Sequence, residues 1–110
     1  METKDAVLAL SALAQASRLE VFRALVQAGP TGLAAGRISE LTDIPPSSLS
    51  FHLKELSHAG LAASRQEGRF VIYTAQFAAM NALLGFLTEN CCSGNPCSPV
   101  CSPACSPEKE

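Results

Sequence analysis

The C-terminal segment of this chain carries proline at every fourth residue, and this limits what the segment can fold into. Cysteine, serine and proline recur as a unit that begins at Cys97, Cys101 and Cys105. Proline at this spacing cannot continue a helix and removes hydrogen bonds from a sheet. We therefore predict a folded domain over residues 1–92 and a flexible tail over residues 93–110. About ninety residues are close to the size at which stability becomes marginal, so dimerisation would help.

The composition indicates a soluble protein in a reducing compartment. No secretory signal is apparent, and no apolar run reaches the roughly 18 residues that span a bilayer. All five cysteines lie in the last twenty residues, and their odd number disfavours a closed set of disulfides. We expect a cytoplasmic protein with reduced thiols and no membrane partner.

The first and last predicted helices are apolar on nearly all sides. They cover residues 4–15 and 76–90. A helix that is apolar all round requires burial on every face. In so small a domain, this pattern indicates that both helices contribute to a subunit interface.

Two shorter helices are predicted between them. The second helix covers residues 18–28, with Ser17 as its N-cap. Residues 30–33 are predicted to form a loop. A third helix over residues 35–43 is expected to bury two apolar side chains, Ile38 and Leu41.

A fourth helix and a hairpin complete the pattern. The helix starts at Pro45-Pro46, because the backbone N–H groups of a first helical turn have no intrahelical acceptor and proline lacks only such a group. It ends at Gly60. Its buried stripe consists of Leu49, Leu53 and Leu56. Two strands, 61–66 and 69–74, follow on either side of Gly68, which supplies the positive φ of a tight turn. The predicted fold is therefore mainly α with a small β-hairpin.

This order of elements is that of a winged helix-turn-helix, in which the second helix of the motif enters the DNA major groove. The net charge of −2 disfavours bulk attraction to nucleic acid but permits a local basic surface. Hydroxyl groups and cationic side chains can bind phosphates or base edges, and an aromatic side chain that points outward can contact a thymine methyl. The predicted DNA-binding residues of the fourth helix and the wing are Ser47, Ser48, Ser50, Phe51, His52, Lys54, Arg65 and Arg69.

The alternative for this helix is an ordinary amphipathic helix with a solvated outer face. The outward position of Phe51 favours a binding surface, because large exposed apolar side chains often mark sites that contact another molecule. His52 lies only about 60° from the leucine stripe, so we expect it to be half-buried or to reach a phosphate. No paired acid and base, phosphate loop or nucleophile constellation is visible, and an enzyme is not predicted.

Three segments resemble the ArsR (ArsR/SmtB) family of bacterial metalloregulatory repressors. They run from Ala14 to Arg23, from Ser47 to Leu61 and from Gln66 to Tyr73, and the similarity spans roughly residues 5–92. The resemblance implies a homodimer joined through the first and last helices. It also implies that an inducer weakens binding to double-stranded operator DNA and derepresses resistance genes.

Branches of this family differ in where the inducer binds. Many arsenic sensors carry Cys-Val-Cys on the third helix, whereas this chain has no cysteine there. Zinc sensors use Asp and His on the last helix, which here has neither. The Cys91-Cys92 pair with a downstream Cys97 is similar to the branch whose arsenite site lies at the end of the last helix. The expected inducer is As(III) or Sb(III), bound by Cys91, Cys92 and Cys97, with Cys101 and Cys105 as substitutes for the third ligand.

The thiols permit other interpretations. Thiolates select soft ions, and As(III) prefers three of them, whereas a zinc site would use four. A redox or persulfide-responsive regulator, a metal-buffering protein and a nonspecific thiol tail also remain open. A disulfide between Cys91 and Cys92 is disfavoured, because adjacent cysteines close a strained ring.

Overall fold

The computed structural model describes residues 1–91, and the predicted domain boundary after residue 92 lies outside them. Five α-helices, one 3-10 helix and three strands are present in this part of the chain. The helices are α1 (Thr3–Leu13), α2 (Ala16–Ala28), α3 (Ala35–Thr42), α4 (Pro46–His58) and α5 (Phe77–Leu87). The strands are β1 (Leu33–Ala34), β2 (Ala62–Glu67) and β3 (Phe70–Ala75). The predicted winged helix-turn-helix fold is confirmed.

The core lies where α2, α3 and α4 meet. The largest fully buried side chains are Val21, Leu25, Ile38, Leu49, Leu56 and Leu61. Burial of one such side chain contributes about 1.5–3 kcal/mol. The predicted leucine stripe of α4 is buried as expected, and it fixes which face of this helix points outward.

α1 packs its small residues inward and leaves its large apolar residues outside. Ala6, Ala9 and Ala12 are buried against the rest of the chain. Val7 and Leu8 are both more than half exposed. Alanine allows α1 to approach its neighbours closely, so the apolar surface that remains exposed is the opposite face of the helix.

The start of α2 differs from the prediction. Ser17 is not the N-cap: it lies within the helix, and Gln15 takes the cap position. The Gln15 side-chain oxygen accepts a hydrogen bond of 2.9 Å from the Arg18 backbone N–H. Arg18 Nε in turn donates to the Ala12 carbonyl at 2.7 Å and links the end of α1 to α2.

The turn between α3 and α4 is closed by a left-handed residue. Asp43 has φ 60° and its backbone N–H donates to the Ser39 carbonyl at 2.8 Å. Ile38 is buried as predicted. The prediction for Leu41 is wrong, because this side chain is 52% exposed.

The predicted hairpin is part of a three-stranded antiparallel sheet with the order β1-β3-β2. Gly68 has φ 61° and permits the tight turn. The segment predicted as a loop, residues 30–33, instead contains the end of a 3-10 turn (Gly29–Thr31) and the first residue of β1, with Gly32 between them. Leu33 pairs with Tyr73. β1 thereby joins the wing to the segment that leads into α3.

α5 is shorter than predicted, ending at Leu87 rather than at residue 90. The Thr88 hydroxyl donates to the Leu84 carbonyl at 2.9 Å, and Asn90 has φ 57°. The chain therefore leaves the helix axis before it reaches Cys91. Within residues 1–91, no helix is long and apolar enough to cross a membrane.

Candidate nucleic-acid interface

The outer face of α4 is polar apart from one aromatic side chain. Ser47, Ser48, Ser50 and Lys54 are exposed on this face. α4 begins with proline in its first turn and has no side-chain cap. The buried leucines anchor the opposite face to the core, so the predicted serines and lysine are presented outward on a rigid element.

The three serines of this face differ in their hydrogen bonds. Ser50 Oγ donates to the Pro46 carbonyl at 3.2 Å, one turn back along the helix. Within the part of the chain that the structure describes, no side-chain hydrogen bond is present at Ser47 or Ser48. The hydroxyls of Ser47 and Ser48 are therefore free to take an acceptor or donor from outside the protein.

Phe51 and His52 form an aromatic pair on α4. Their ring centroids are 5.8 Å apart and the rings meet edge to face. Phe51 is 55% exposed, which is unusual for so large an apolar group. His52 is half-buried, in agreement with its angle to the leucine stripe, and its buried Nδ1 has no partner in residues 1–91.

The wing, which consists of β2, β3 and the turn between them, carries two arginines in different surroundings. Arg65 Nη2 donates to the Thr31 carbonyl at 2.7 Å, and its Nε lies 2.6 Å from a carboxylate oxygen of Glu67. Arg69 lies in the turn between β2 and β3 and is exposed. The two ion pairs of residues 1–91 are Arg37–Glu40 and Arg65–Glu67, so the charge of Arg69 is not neutralised by either.

Phe70 at the start of β3 is an exposed aromatic side chain that sequence reasoning did not select as a candidate. Its side chain is 62% exposed, more than any other large hydrophobic side chain in the described residues. It follows Arg69 directly and pairs with Glu67 across the hairpin. The sequence places Phe70 in the second strand of the hairpin but does not show that its side chain is open to solvent.

One of the three predicted arsenic ligands lies in the described part of the chain. Cys91 is half-buried and follows α5, and its backbone N–H donates to the Thr88 carbonyl at 3.0 Å. Cys92 and Cys97 lie outside the described residues. Within residues 1–91, no group of three or more His, Cys, Asp or Glu side chains is arranged to hold a metal ion.

These elements define a DNA-binding protein of the winged helix-turn-helix class. A sequence profile described as a helix-turn-helix domain matches residues 13–65. The arsenical resistance operon repressor of Bacillus subtilis (strain 168) is 35% identical over 81 residues, covering 74% of this chain and 73% of that protein. This degree of similarity over most of both proteins establishes the family.

Solved structures agree with the assignment. An ArsR-like transcriptional regulator from Rhodococcus sp. RHA1 superposes with a TM-score of 0.68, at 24% identity and over 76% of each chain, and supports the fold. The homodimeric winged helix-turn-helix domain of Mb0332 from Mycobacterium bovis gives a TM-score of 0.63 at 26% identity, covering 79% of this chain and 81% of that chain. The chain belongs to the ArsR family: it is a DNA-binding transcriptional regulator and not an enzyme.

Proposed function

We propose that this protein is a homodimeric repressor of an arsenic-resistance operon and leaves its operator when As(III) or Sb(III) binds its C-terminal thiolates. The observation that carries the proposal is the cysteine cluster, which starts four residues after the end of α5 in a chain 35% identical to an arsenical resistance operon repressor. A thiol cluster alone would only sequester a soft ion. When the cluster is attached to a DNA-binding domain, binding of the ion can change the affinity of that domain for DNA.

Operator binding is assigned to the outer face of α4 and to the tip of the wing. α4 would lie in the major groove, where Lys54 meets a phosphate, the hydroxyls of Ser47 and Ser48 meet phosphates or base edges, and Phe51 meets a thymine methyl. Arg69 supplies the unneutralised cation of the wing. In a dimer, two copies of α4 would reach half-sites one helical turn apart, about 34–36 Å.

The dimer is assigned to α1 and α5. The face of α1 that carries Val7, Leu8 and Leu10 is exposed in the single chain, as is Leu87 at the end of α5. These side chains would expose a large apolar surface on a monomer. Burying them against a second copy would also add to a core that is small for a stable domain.

The chemistry of arsenite suits three cysteines. Arsenous acid carries three hydroxyl groups on arsenic. Each thiol that forms an S–As bond gives its proton to a departing hydroxide, so binding to Cys91, Cys92 and Cys97 releases three waters. The arsenic stays in the +3 state, and no oxidant or reductant is needed. Thiolates favour this soft ion over hard cations.

Induction requires that arsenic binding and DNA binding oppose each other. Cys91 lies four residues beyond the end of α5. Drawing three cysteines together would reorganise the segment after Leu87, at the end of a helix assigned to the dimer interface. A change in dimer geometry would then misalign the two copies of α4. Coupling between two such sites typically amounts to about 1–3 kcal/mol, or about 5- to 150-fold in affinity.

Replacement of single cysteines tests this assignment. Cys91→Ser and Cys92→Ser proteins should bind operator DNA as tightly as the wild type and should keep it bound when arsenite is added. Cys105→Ser removes one thiol from the same segment and is the matched control, because it should still release DNA. Fluorescence anisotropy of labelled DNA measures both properties. If the Cys91→Ser and Cys92→Ser proteins both release DNA as readily as the control, the ligand assignment is wrong.

A further inference from the structure

The Arg65 side chain is 42% exposed, and three of its guanidinium N–H groups are bonded within the protein. Its Nη2 donates to the Thr31 carbonyl at 2.7 Å, and its Nη1 lies 3.4 Å from the Pro30 carbonyl. Its Nε donates to Glu67 at 2.6 Å. The two carbonyls belong to the 3-10 turn that follows α2, more than thirty residues away along the chain.

These contacts use the fork geometry that distinguishes arginine from lysine. A guanidinium is planar and presents five N–H groups in fixed directions, so one side chain can bridge two backbone carbonyls and a carboxylate. The Glu67 carboxylate also offsets the positive charge that Arg65 would offer to a phosphate. Arg69, four residues further on, takes part in neither of the ion pairs formed within residues 1–91.

The same turn also meets the wing through its backbone. Gly32 lies so close to β3 that a Cβ atom built on it would be 2.6 Å from the Tyr73 carbonyl oxygen. The next residue, Leu33, pairs with Tyr73 across the sheet. Arg65 on β2 bonds to the carbonyls of the 3-10 turn, whereas Gly32 and Leu33 contact β3 at Tyr73. Both long strands of the wing are therefore attached to the segment between α2 and α3.

We infer that Arg65 is a positioning residue, which holds the wing against the connection between α2 and α3, and that Arg69 is the arginine of the wing that contacts DNA phosphate. This inference rests on the proposed binding of operator DNA. Because β1 leads directly into α3, the Arg65 contacts set the orientation of the wing relative to the helix-turn-helix. With three of its donors bonded within the protein, Arg65 acts on DNA binding by ordering the wing and not by neutralising a phosphate.

Salt dependence separates the two roles. The logarithm of the binding constant falls with the logarithm of salt concentration, and each phosphate that a protein neutralises contributes about 0.9 to that slope. Arg65→Ala and Arg69→Ala each remove one positive charge per protomer and are matched controls for one another. Arg69→Ala should reduce the slope by about 0.9 for each phosphate that Arg69 neutralises. Arg65→Ala should leave the slope at the wild-type value and still lower operator affinity, by about 3- to 10-fold.

Arg65→Lys provides the second variant, since it preserves the charge and is expected to fold. It should not restore wild-type affinity, because an ammonium group cannot bridge the three acceptors. A slope reduced by Arg65→Ala and restored by Arg65→Lys would overturn the inference, as would wild-type affinity in Arg65→Ala. Amide exchange of the wing gives a readout that needs no DNA: it should accelerate in both Arg65 variants and not in Arg69→Ala. If exchange is faster in the Arg65 variants but the wild-type protein does not bind operator DNA, the result would contradict the proposed function and not the role of the Arg65 contacts in holding the wing.

Discussion

The hydroxyl of Ser39 donates a hydrogen bond of 2.6 Å to the carbonyl of Ile44, across the turn that joins α3 to α4. Ser39 lies on the first helix of the helix-turn-helix, and Ile44 is a buried residue just before the second. Between them, Asp43 takes the left-handed conformation that ends α3. The bond therefore ties the two helices of the motif together at the point where their relative orientation is set.

Removing this bond should weaken the domain. A half-buried hydrogen bond contributes about 0.5–1.5 kcal/mol, and its loss in Ser39→Ala leaves the Ile44 carbonyl without that partner. We expect the free energy of unfolding to fall by about 1 kcal/mol, as measured by urea denaturation followed by circular dichroism. Ser57→Ala on the exposed side of α4 is the control and should change stability by less than about 0.5 kcal/mol. Equal effects of the two replacements would show that the Ser39 bond has no special role.

Two glycines with the same backbone conformation should respond differently to alanine. Gly29 and Gly32 have φ values of 74° and 76°, and both would be strained by a Cβ atom. Nothing lies within 4 Å of a Cβ at Gly29, whereas at Gly32 it would meet the Tyr73 carbonyl oxygen at 2.6 Å. The strain common to both costs about 1–3 kcal/mol. We expect Gly32→Ala to lower the melting temperature clearly more than Gly29→Ala, and similar melting temperatures would contradict the close packing of the wing base.

The proposed dimer surface can be tested with two leucines of equal exposure. Leu8 on α1 and Leu41 on α3 are each 52% exposed in the single chain. A charged residue at the dimer interface would be desolvated without a partner. Leu8→Glu should therefore yield monomers in analytical ultracentrifugation, whereas Leu41→Glu should sediment as the wild type does. A dimeric Leu8→Glu protein would place the interface elsewhere.

The outer face of α4 can be tested with two lysines. Lys54 lies on this face, and Lys4 lies on α1. Lys54→Ala should reduce operator affinity and should lower the salt slope by about 0.9 for each phosphate that Lys54 neutralises. Lys4→Ala removes the same charge from α1, which is not part of the proposed DNA-binding face, and should leave the slope unchanged as long as the protein remains dimeric. If the two lysines behave alike, the effect reflects net charge and not binding at α4.

Local patterns were sufficient to predict the fold. The i, i+4, i+7 spacing of Leu49, Leu53 and Leu56 predicted both α4 and its buried face, and Gly68 predicted the hairpin. Helix ends were less predictable, because a cap depends on one hydrogen bond. Ser17 is the more common type of N-cap residue, yet Gln15 reaches the free N–H of Arg18. β1 was missed because two residues have no periodicity.

Features that depend on distant parts of the chain were not visible in the sequence. Arg65 was predicted to contact DNA from its place beside the wing tip, and its bonds to Pro30 and Thr31 became visible only with the folded chain. Leu41 is exposed although it lies one turn after the buried Ile38, so its spacing alone did not show which side chains α3 packs against the core. The roles of the eight predicted DNA-binding residues and of Cys91, Cys92 and Cys97 remain predictions.

In the proposed function, arsenite binding releases this protein from its operator DNA. The most direct measurement is fluorescence anisotropy of a labelled fragment of the DNA upstream of its own gene, titrated first with the full chain and then with arsenite. We expect tight, salt-dependent binding that arsenite reverses and that an equal concentration of zinc does not. Specific binding that persists at saturating arsenite would contradict the proposed function and would leave a DNA-binding regulator with a different signal.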